Sequence, residues 1–388
     1  MNLLFPYMAR WKAANWTRYH QLLTKIAQKG HHVHVFQPPA LESDETNFHE
    51  IDVKLPENLH LHDLHIIDII WKKKYPFDKL VKKGSYSIIS NSRIKKAIKK
   101  YDIDTLLLYN IPQYQLSKID SCFTIFDFAD DYIAMLKHEL QKYSNAFILK
   151  FAEKLLNKMI SNTDLTIVIS KVLAEEIGVK SYIIPNGVCL EEAQIGMGTE
   201  YRKTYKNPII GFIGSFEYFI DFDIIISTAE KLPDMTFLLV GGGREFQSVK
   251  NKIASKKLEN IYLVGSKPHD EVLKYIDSMD ICLNIFKPIP ISHGASPIKL
   301  FEYIAFKKPV ISTRIKEVQN IDKDFLYYAD DSDEMVECIN KILLNKDDTS
   351  ERIERGYTLV KEKYTWDIIS EQFLELIQNH KQSHLKKQ

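Results

Sequence analysis

Short apolar runs recur along this chain and alternate with longer stretches that read as helices. In the second half the runs fall at Ile209–Ile213, Thr236–Val240, Ile261–Val264, Ile281–Ile285 and Val310–Ser312. In the first half they fall at Met1–Tyr7, His32–Gln37, Thr105–Tyr109, Cys122–Phe126 and Leu165–Ile169. Runs this short and this apolar predict buried strands. Strands that alternate with helices predict parallel sheets covered on both faces, an α/β fold class. A first helix is expected over Asn15–Lys29, stopped by Gly30, and a last one from Trp366 to His380 ahead of a basic polar tail. Pro185-Asn186-Gly187-Val188 is a turn, and the polar stretch after it, to about Asn207, reads as a linker.

Ligands on such sheets sit at the carboxyl ends of the strands, and the residues there carry the candidate chemistry. Gly211-Phe212-Ile213-Gly214-Ser215 and Val240-Gly241-Gly242-Gly243 are glycine turns at two strand ends. From Lys287 to Lys308 the chain reads KPIPISHGASPIKLFEYIAFKK. Ser296 followed by Pro297 is a helix start, with a hydroxyl at the cap and proline where its missing N–H does no harm. The helix is expected over Pro297–Phe306. A strand, a small-residue turn and a capped helix place free N–H groups and a positive dipole end together, which suits a phosphate. Lys299 and Glu302, three apart, share a helix face. The lysine would stand beside a diphosphate, and the glutamate would accept from ribose hydroxyls. A surface helix with an ordinary Lys–Glu pair has the same spacing. At another strand end, Asp127-Phe128-Ala129-Asp130-Asp131 gathers three acids that packing does not account for.

Composition narrows the class. A chain of 388 residues with 45% hydrophobic content has room for two cores, and its net charge of +1 argues against a general nucleic-acid binder. Cys122, Cys189, Cys282 and Cys338 are scattered and read as buried thiols of a reducing compartment. No run of about 18 apolar residues is present, so a cytoplasmic location is expected. From Trp71 to Lys100 eleven Lys or Arg face one acid, with Trp71, Tyr75 and Phe77 interleaved. Such a segment suits an anionic membrane surface, or equally a solvated loop and helix. His31, His32 and His34 lack partnering cysteines, and Asp221-Phe222-Asp223 reads as a helix cap, so no metal is expected.

The run Ser296-Pro297-Ile298-Lys299-Leu300-Phe301-Glu302-Tyr303, ending in Lys308-Pro309-Val310-Ile311-Ser312-Thr313, resembles the nucleotide-sugar site of GT-B glycosyltransferases of family 4 and its relatives. Asn186-Gly187 and Tyr364-Thr365-Trp366 fall in that family's order, and the resemblance extends to enzymes of capsule, teichuronic acid and exopolysaccharide synthesis. It implies two Rossmann-like domains facing a cleft. Residues 1–188 with a returning helix 366–388 would bind the acceptor, and 205–365 the donor. Gly214, Ser215, Gly242, Lys267, Ser296, Pro297, Lys299, Leu300 and Glu302 would bind a nucleotide sugar of the UDP kind, without a metal. The segment Trp16-Thr17-Arg18-Tyr19-His20 resembles an acceptor-facing helix, which assigns Arg18 and His20 to the acceptor. The acceptor itself would be a saccharide or a lipid-linked one at the inner membrane face. Asp130 would be the base, with Asp131 and Asp127 behind it. Two departures stand out. The first acid of the family's E-x7-E falls at Gly294, and the loop 214–223 lacks the Arg and Lys of retaining members. The second favours an inverting hexosyltransferase, while a UDP-sugar 2-epimerase and a non-catalytic nucleotide-sugar-binding subunit remain as alternatives.

Overall fold

The computed structural model describes residues 1–12, 16–38, 54–64, 78–140, 146–193 and 199–385. The chain divides into two compact units, Met1–Ile184 with Ser370–Gln388, and Pro185–Ile369.

In the first unit seven strands form one sheet in the order β3-β2-β1-β4-β5-β6-β7. They are β1 (Asn2–Pro6), β2 (His32–Gln37), β3 (Leu59–Asp63), β4 (Thr105–Leu108), β5 (Phe123–Phe128), β6 (Leu165–Val168) and β7 (Tyr182–Ile183). Every pairing is parallel, and β1 lies between β2 and β4, with Leu3 opposite both Val33 and Thr105. The central strands carry fully buried Leu3, Leu4, Leu106, Leu107, Ile125 and Phe126, so each strand is apolar on both faces as a covered parallel sheet requires. β3 and β7 escaped the sequence pattern. β3 alternates leucine with histidine at a sheet edge, and β7 is two residues long.

β5 runs two residues past its apolar stretch and takes Asp127 into the sheet, opposite Ile167. The first helix spans Arg18–Gln28, shorter than expected, with residues 13–15 outside the described set. Of the basic stretch 71–100, residues 71–77 also lie outside it, and Asp78–Lys100 is one helix.

The second unit repeats the plan with six parallel strands in the order β10-β9-β8-β11-β12-β13. These are β8 (Ile209–Ile213), β9 (Thr236–Val240), β10 (Ile261–Gly265), β11 (Ile281–Asn284), β12 (Val310–Ser312) and β13 (Tyr327–Tyr328). The core around them holds fully buried Phe212, Phe216, Phe237, Phe301 and Tyr303. The stretch read as a linker belongs to this unit and contains the short helices Leu190–Ala193 and Thr199–Thr204. Tyr201 stacks on Tyr275 at 4.2 Å and Arg202 pairs with Asp280, and these contacts are why a polar sequence is ordered there.

The last helix, Trp366–Leu385, begins in the second unit and passes to the first at Ser370. Glu371 pairs with Lys29 at 2.7 Å, His380 meets the Tyr182 hydroxyl at 3.0 Å, and Lys381 reaches Asp104 at 2.5 Å. Among the described residues no helix is long and apolar enough to cross a membrane.

The β2–β3 edge concentrates imidazoles. His34 Nδ1 lies 3.0 Å from His62 Nε2, and Tyr101 packs on both rings. Burial, then the positive charge His62, His60 and His32 would carry, pushes His34 down from 6.5 to about 4. Burial, followed by His60, also lowers His62. A folded-state value below the unfolded one means that unfolding takes up protons on acidification. Stability from this pair is therefore complete above pH 6.5 and is lost as pH falls toward 4. The urea midpoint should drop between pH 7.5 and pH 5, and His34→Phe should flatten that dependence. A midpoint equally pH-dependent in the variant would remove the pair as its source.

Candidate nucleotide-binding site

The strand order of the second unit reverses between β8 and β11, which pair through Ile210 and Ile281. After β8 the chain turns toward β9 and after β11 toward β12, so the two loops diverge and leave a crevice at the carboxyl ends. Three glycine turns are knitted together along its β8 side. Gly214 N–H donates to the Val240 carbonyl at 3.0 Å, Phe216 N–H to Gly242 at 2.8 Å, and Gly241 N–H to Gly265 at 2.9 Å. Gly241 has φ +141°, and a Cβ there would run into the Gly214 carbonyl. Gly214, also at φ +141°, would place a Cβ 3.0 Å from the Lys299 ammonium nitrogen. Only glycine lets these turns approach one another and the lysine this closely.

On the β11 side, a short helix Pro290–His293 leads to Ser296, Pro297 and the helix Ile298–Ala305. That helix starts one residue later than expected. Pro297 is the cap, in an extended conformation, and no side chain caps the first turn. Ser296 is displaced from the cap because its carbonyl is held by Asn186 Nδ2 at 2.7 Å. Its hydroxyl, like that of Ser292, is buried without a hydrogen-bond partner in the protein. The uncapped first-turn N–H groups and two buried hydroxyls thus sit together at the positive end of a helix.

The Asn186-Gly187-Val188 turn braces this corner. Val188 exchanges backbone hydrogen bonds with Tyr364 at 2.9 Å and Trp366 at 3.0 Å. A Cβ on Gly187 would lie 2.5 Å from Ile369 and 2.8 Å from the Tyr364 carbonyl. Phe301 stacks on Tyr364 at 4.7 Å, and the Tyr303 hydroxyl accepts from Ile213 N–H at 2.8 Å, which ties the helix to the end of β8. The buried positions 300, 301, 303 and 304 face the core, leaving 299 and 302 on the other side.

Lys299 is half-buried, its nitrogen 4.1 Å from the Phe212 ring centre and 4.9 Å from that of Phe286. Burial pulls its pKa down to about 7, with Glu302 opposing. Burial raises the Glu302 carboxyl, His269 opposes that shift, and Glu192 adds to it. His269 Nε2 lies 3.1 Å from Glu192. Burial alone would lower the imidazole, but this hydrogen bond and the charges of Glu302 and Glu192 outweigh it and raise its pKa. Lys267 pairs with Glu271 at 3.2 Å, Ser215 is exposed, and Gly242 packs against Ser266. The Leu300 side chain lies in the core, and its N–H donates to the Pro297 carbonyl at 3.1 Å.

In the first unit the three acids have different surroundings. Asp127 is fully buried, 2.8 Å from Arg18 Nε, itself 4% exposed. Burial raises the Asp127 carboxyl and Arg18 pulls it back. Asp131 caps the helix Tyr132–Glu139, accepting from Ala134 N–H at 2.9 Å. Asp130 is exposed at the end of the strand. His20 is fully buried, with Nδ1 3.1 Å from Thr17 N–H and Nε2 2.8 Å from the Trp11 carbonyl. Its Nδ1 accepts and its Nε2–H donates, and burial pushes its pKa to about 4. Arg18 and His20 thus face the interior of the unit, where they hold β5 and the loop before the first helix.

Residues 223–375 match the family described as glycosyl transferase-like. The chain is 29% identical over 183 residues to a Bacillus subtilis protein named for teichuronic acid biosynthesis, the glycosyltransferase TuaH, covering 44% of each chain. It is 26% identical over 239 residues to an uncharacterized glycosyltransferase of Methanocaldococcus jannaschii, covering 58% of this chain and 63% of that one. The matches therefore span less than two thirds of either relative. Solved structures match over nearly the whole chain. Sucrose-phosphate synthase from Thermosynechococcus elongatus superposes with TM-score 0.78 at 16% identity, covering 97% of this chain and 98% of that one. Anabaena HepE in complex with UDP-glucose superposes with TM-score 0.70 at 15% identity, covering 98% and 100%. The fold is that of the GT-B glycosyltransferases.

Several residues of this candidate site carry no signal along the chain. Glu192 lies in the stretch read as a linker, and His269 stands two residues past Lys267 outside any motif. Arg244 approaches the loop that lacks a basic residue of its own, pairing with Glu217 at 2.7 Å. Asn186 stood out as part of a turn, but its bond to Ser296 is a contact 110 positions away. Asn186→Ala leaves the Ser296 carbonyl unpaired in a buried place and should destabilise the second unit by about 1–3 kcal/mol. Chemical denaturation of wild type and variant measures this. An unchanged midpoint would show that the hydrogen bond carries no weight.

Proposed function

We propose that this GT-B protein transfers a sugar from a UDP-sugar to a saccharide or lipid-linked acceptor, with inversion at the anomeric carbon. One observation carries the reading: Lys299 is held against Phe212 and Phe286 beneath Gly214, one helical turn from Glu302, at an uncapped helix start. A cation pressed against two rings and desolvated there is poised for an anion. The first-turn N–H groups with Ser292 and Ser296 bind the diphosphate oxygens. Lys299 takes the charge that develops on the leaving group, and Glu302 accepts from the ribose hydroxyls. Burial raises the Glu302 carboxyl, and the neighbouring His269 and Lys299 oppose that rise.

Asp130 is assigned as the base that takes the acceptor hydroxyl's proton. Its exposure at the carboxyl end of β5 supports the choice. The acceptor oxygen then bonds to the anomeric carbon as the bond to the diphosphate breaks. Because helix and lysine supply the positive potential, turnover is expected to survive EDTA.

Calorimetric titration with UDP and UDP-sugars tests the donor site. Glu302→Ala should weaken binding at least tenfold, about 1.4 kcal/mol, whereas Asp130→Asn should bind as wild type and lose at least about a hundredfold in turnover. A wild type that binds no nucleotide of the panel defeats the reading, and an Asp130→Asn variant with full turnover moves the base elsewhere. The pH dependence has a fixed sign. With Lys299 near 7 in the free protein, the ammonium must be protonated for the diphosphate to bind. UDP affinity should therefore fall as pH rises from 6 to 9, with proton uptake on binding near pH 8. Lys299→Met should abolish that dependence, and its persistence would assign it to another group.

A further inference from the structure

Outside the donor site, the surface of the first unit has a feature that packing among the described residues does not account for. The helix Ala146–Asn162 buries Ala152, Leu156 and Met159 against the core. On its opposite side Phe147 and Phe151 are 80% and 54% exposed. At 100° per residue, positions 147, 150, 151, 154 and 158 fall within one narrow stripe, centred about half a turn from the buried one. That stripe therefore reads Phe-Lys-Phe-Lys-Lys, and Glu153 at its margin is the acid nearest to it. Two exposed phenylalanines four residues apart on one helix face keep apolar surface in water.

The strand order places this helix in a layer. The connections β3 to β4, β4 to β5 and β5 to β6 all run in one direction along the sheet. Right-handed crossovers put their helices on the same face. The helix Asp78–Lys100 and the helix Ala146–Asn162 both pack against the 310 helix Ile111–Lys118 between them. Exposed Lys95, Lys96, Lys99 and Lys100 thus belong to the same side of the unit as the phenylalanines.

We propose that the Phe147–Lys158 stripe docks this unit on an anionic lipid bilayer. The rings enter the boundary between headgroups and acyl chains, while the lysines one turn away stay among the phosphates. Charge selects this occupant. A second copy of the chain meeting the same stripe would bring lysine against lysine, whereas an anionic surface neutralises all three. The face is small, so attachment is reversible and weakens as salt shortens the Debye length. Docking through this stripe is independent of the donor site, because neither nucleotide nor acceptor takes part in it.

Co-sedimentation of the full chain with vesicles of phosphatidylcholine, alone or mixed with phosphatidylglycerol, reads the proposal. Wild type should pellet with the mixed vesicles only and be released by high salt. Phe147→Ser with Phe151→Ser should lower the bound fraction about tenfold. So should the separate triple variant Lys150→Gln, Lys154→Gln, Lys158→Gln, while thermal unfolding stays at the wild-type temperature in both. Failure of wild type to bind the mixed vesicles overturns the proposal, and so does binding that both variants retain. A wild-type dimer in sedimentation equilibrium that becomes monomeric in the phenylalanine variant would make the stripe an interface between copies and likewise overturn it.

Discussion

The reversal of strand order at β8 is the constraint from which the donor-site argument descends. A parallel sheet built outward in two directions from one strand must send consecutive loops apart at that point. The gap exposes backbone groups no neighbouring strand can pair. The second unit fills the rim of that gap with glycines and an uncapped helix start. Gly214 and Gly241 permit turns that touch one another, and this contact holds Lys299 in a confined place between two rings. The lysine's lowered pKa is a consequence of that confinement. An ammonium flanked by aromatic faces and poorly hydrated is unfavourable alone and is relieved by an arriving anion.

The first unit uses the same sheet plan for a different purpose. Its buried charge, Asp127, sits inside β5 and is held by Arg18 from the first helix, 109 positions away. Breaking one side of such a pair leaves an uncompensated buried charge, so the pair specifies how that helix meets the sheet. It also separates the roles of three neighbouring acids. One is spent in the interior and one at a helix end, and the third faces solvent.

Much of this was legible along the chain. Buried parallel strands need apolar residues on both faces, so β2, β8, β9 and β12 stand out with the same bounds in sequence and structure. The helix start near Ser296, the glycine turns and Asp221 as a cap were equally visible, because each depends on local backbone chemistry. Of the edge strands only β10 was, since β3 mixes histidine with leucine and β7 and β13 are two residues each. Asp127 looked like a loop residue, because nothing nearby in sequence announces the arginine that carries it into the sheet.

The sequence by itself determined the α/β class, the two-core size, the order of elements and the presence of a phosphate-suited helix start, since these follow from short-range sterics and from burial by type. Tertiary structure decided which side chains share a place. It set Asn186 on the Ser296 carbonyl, Lys299 between Phe212 and Phe286, and His269 on Glu192 beside Glu302. It also turned Arg18 and His20 inward. Desolvation and pairing depend on distance in space, and residues tens of positions apart acquire their protonation and their partners only when the sheet brings them together.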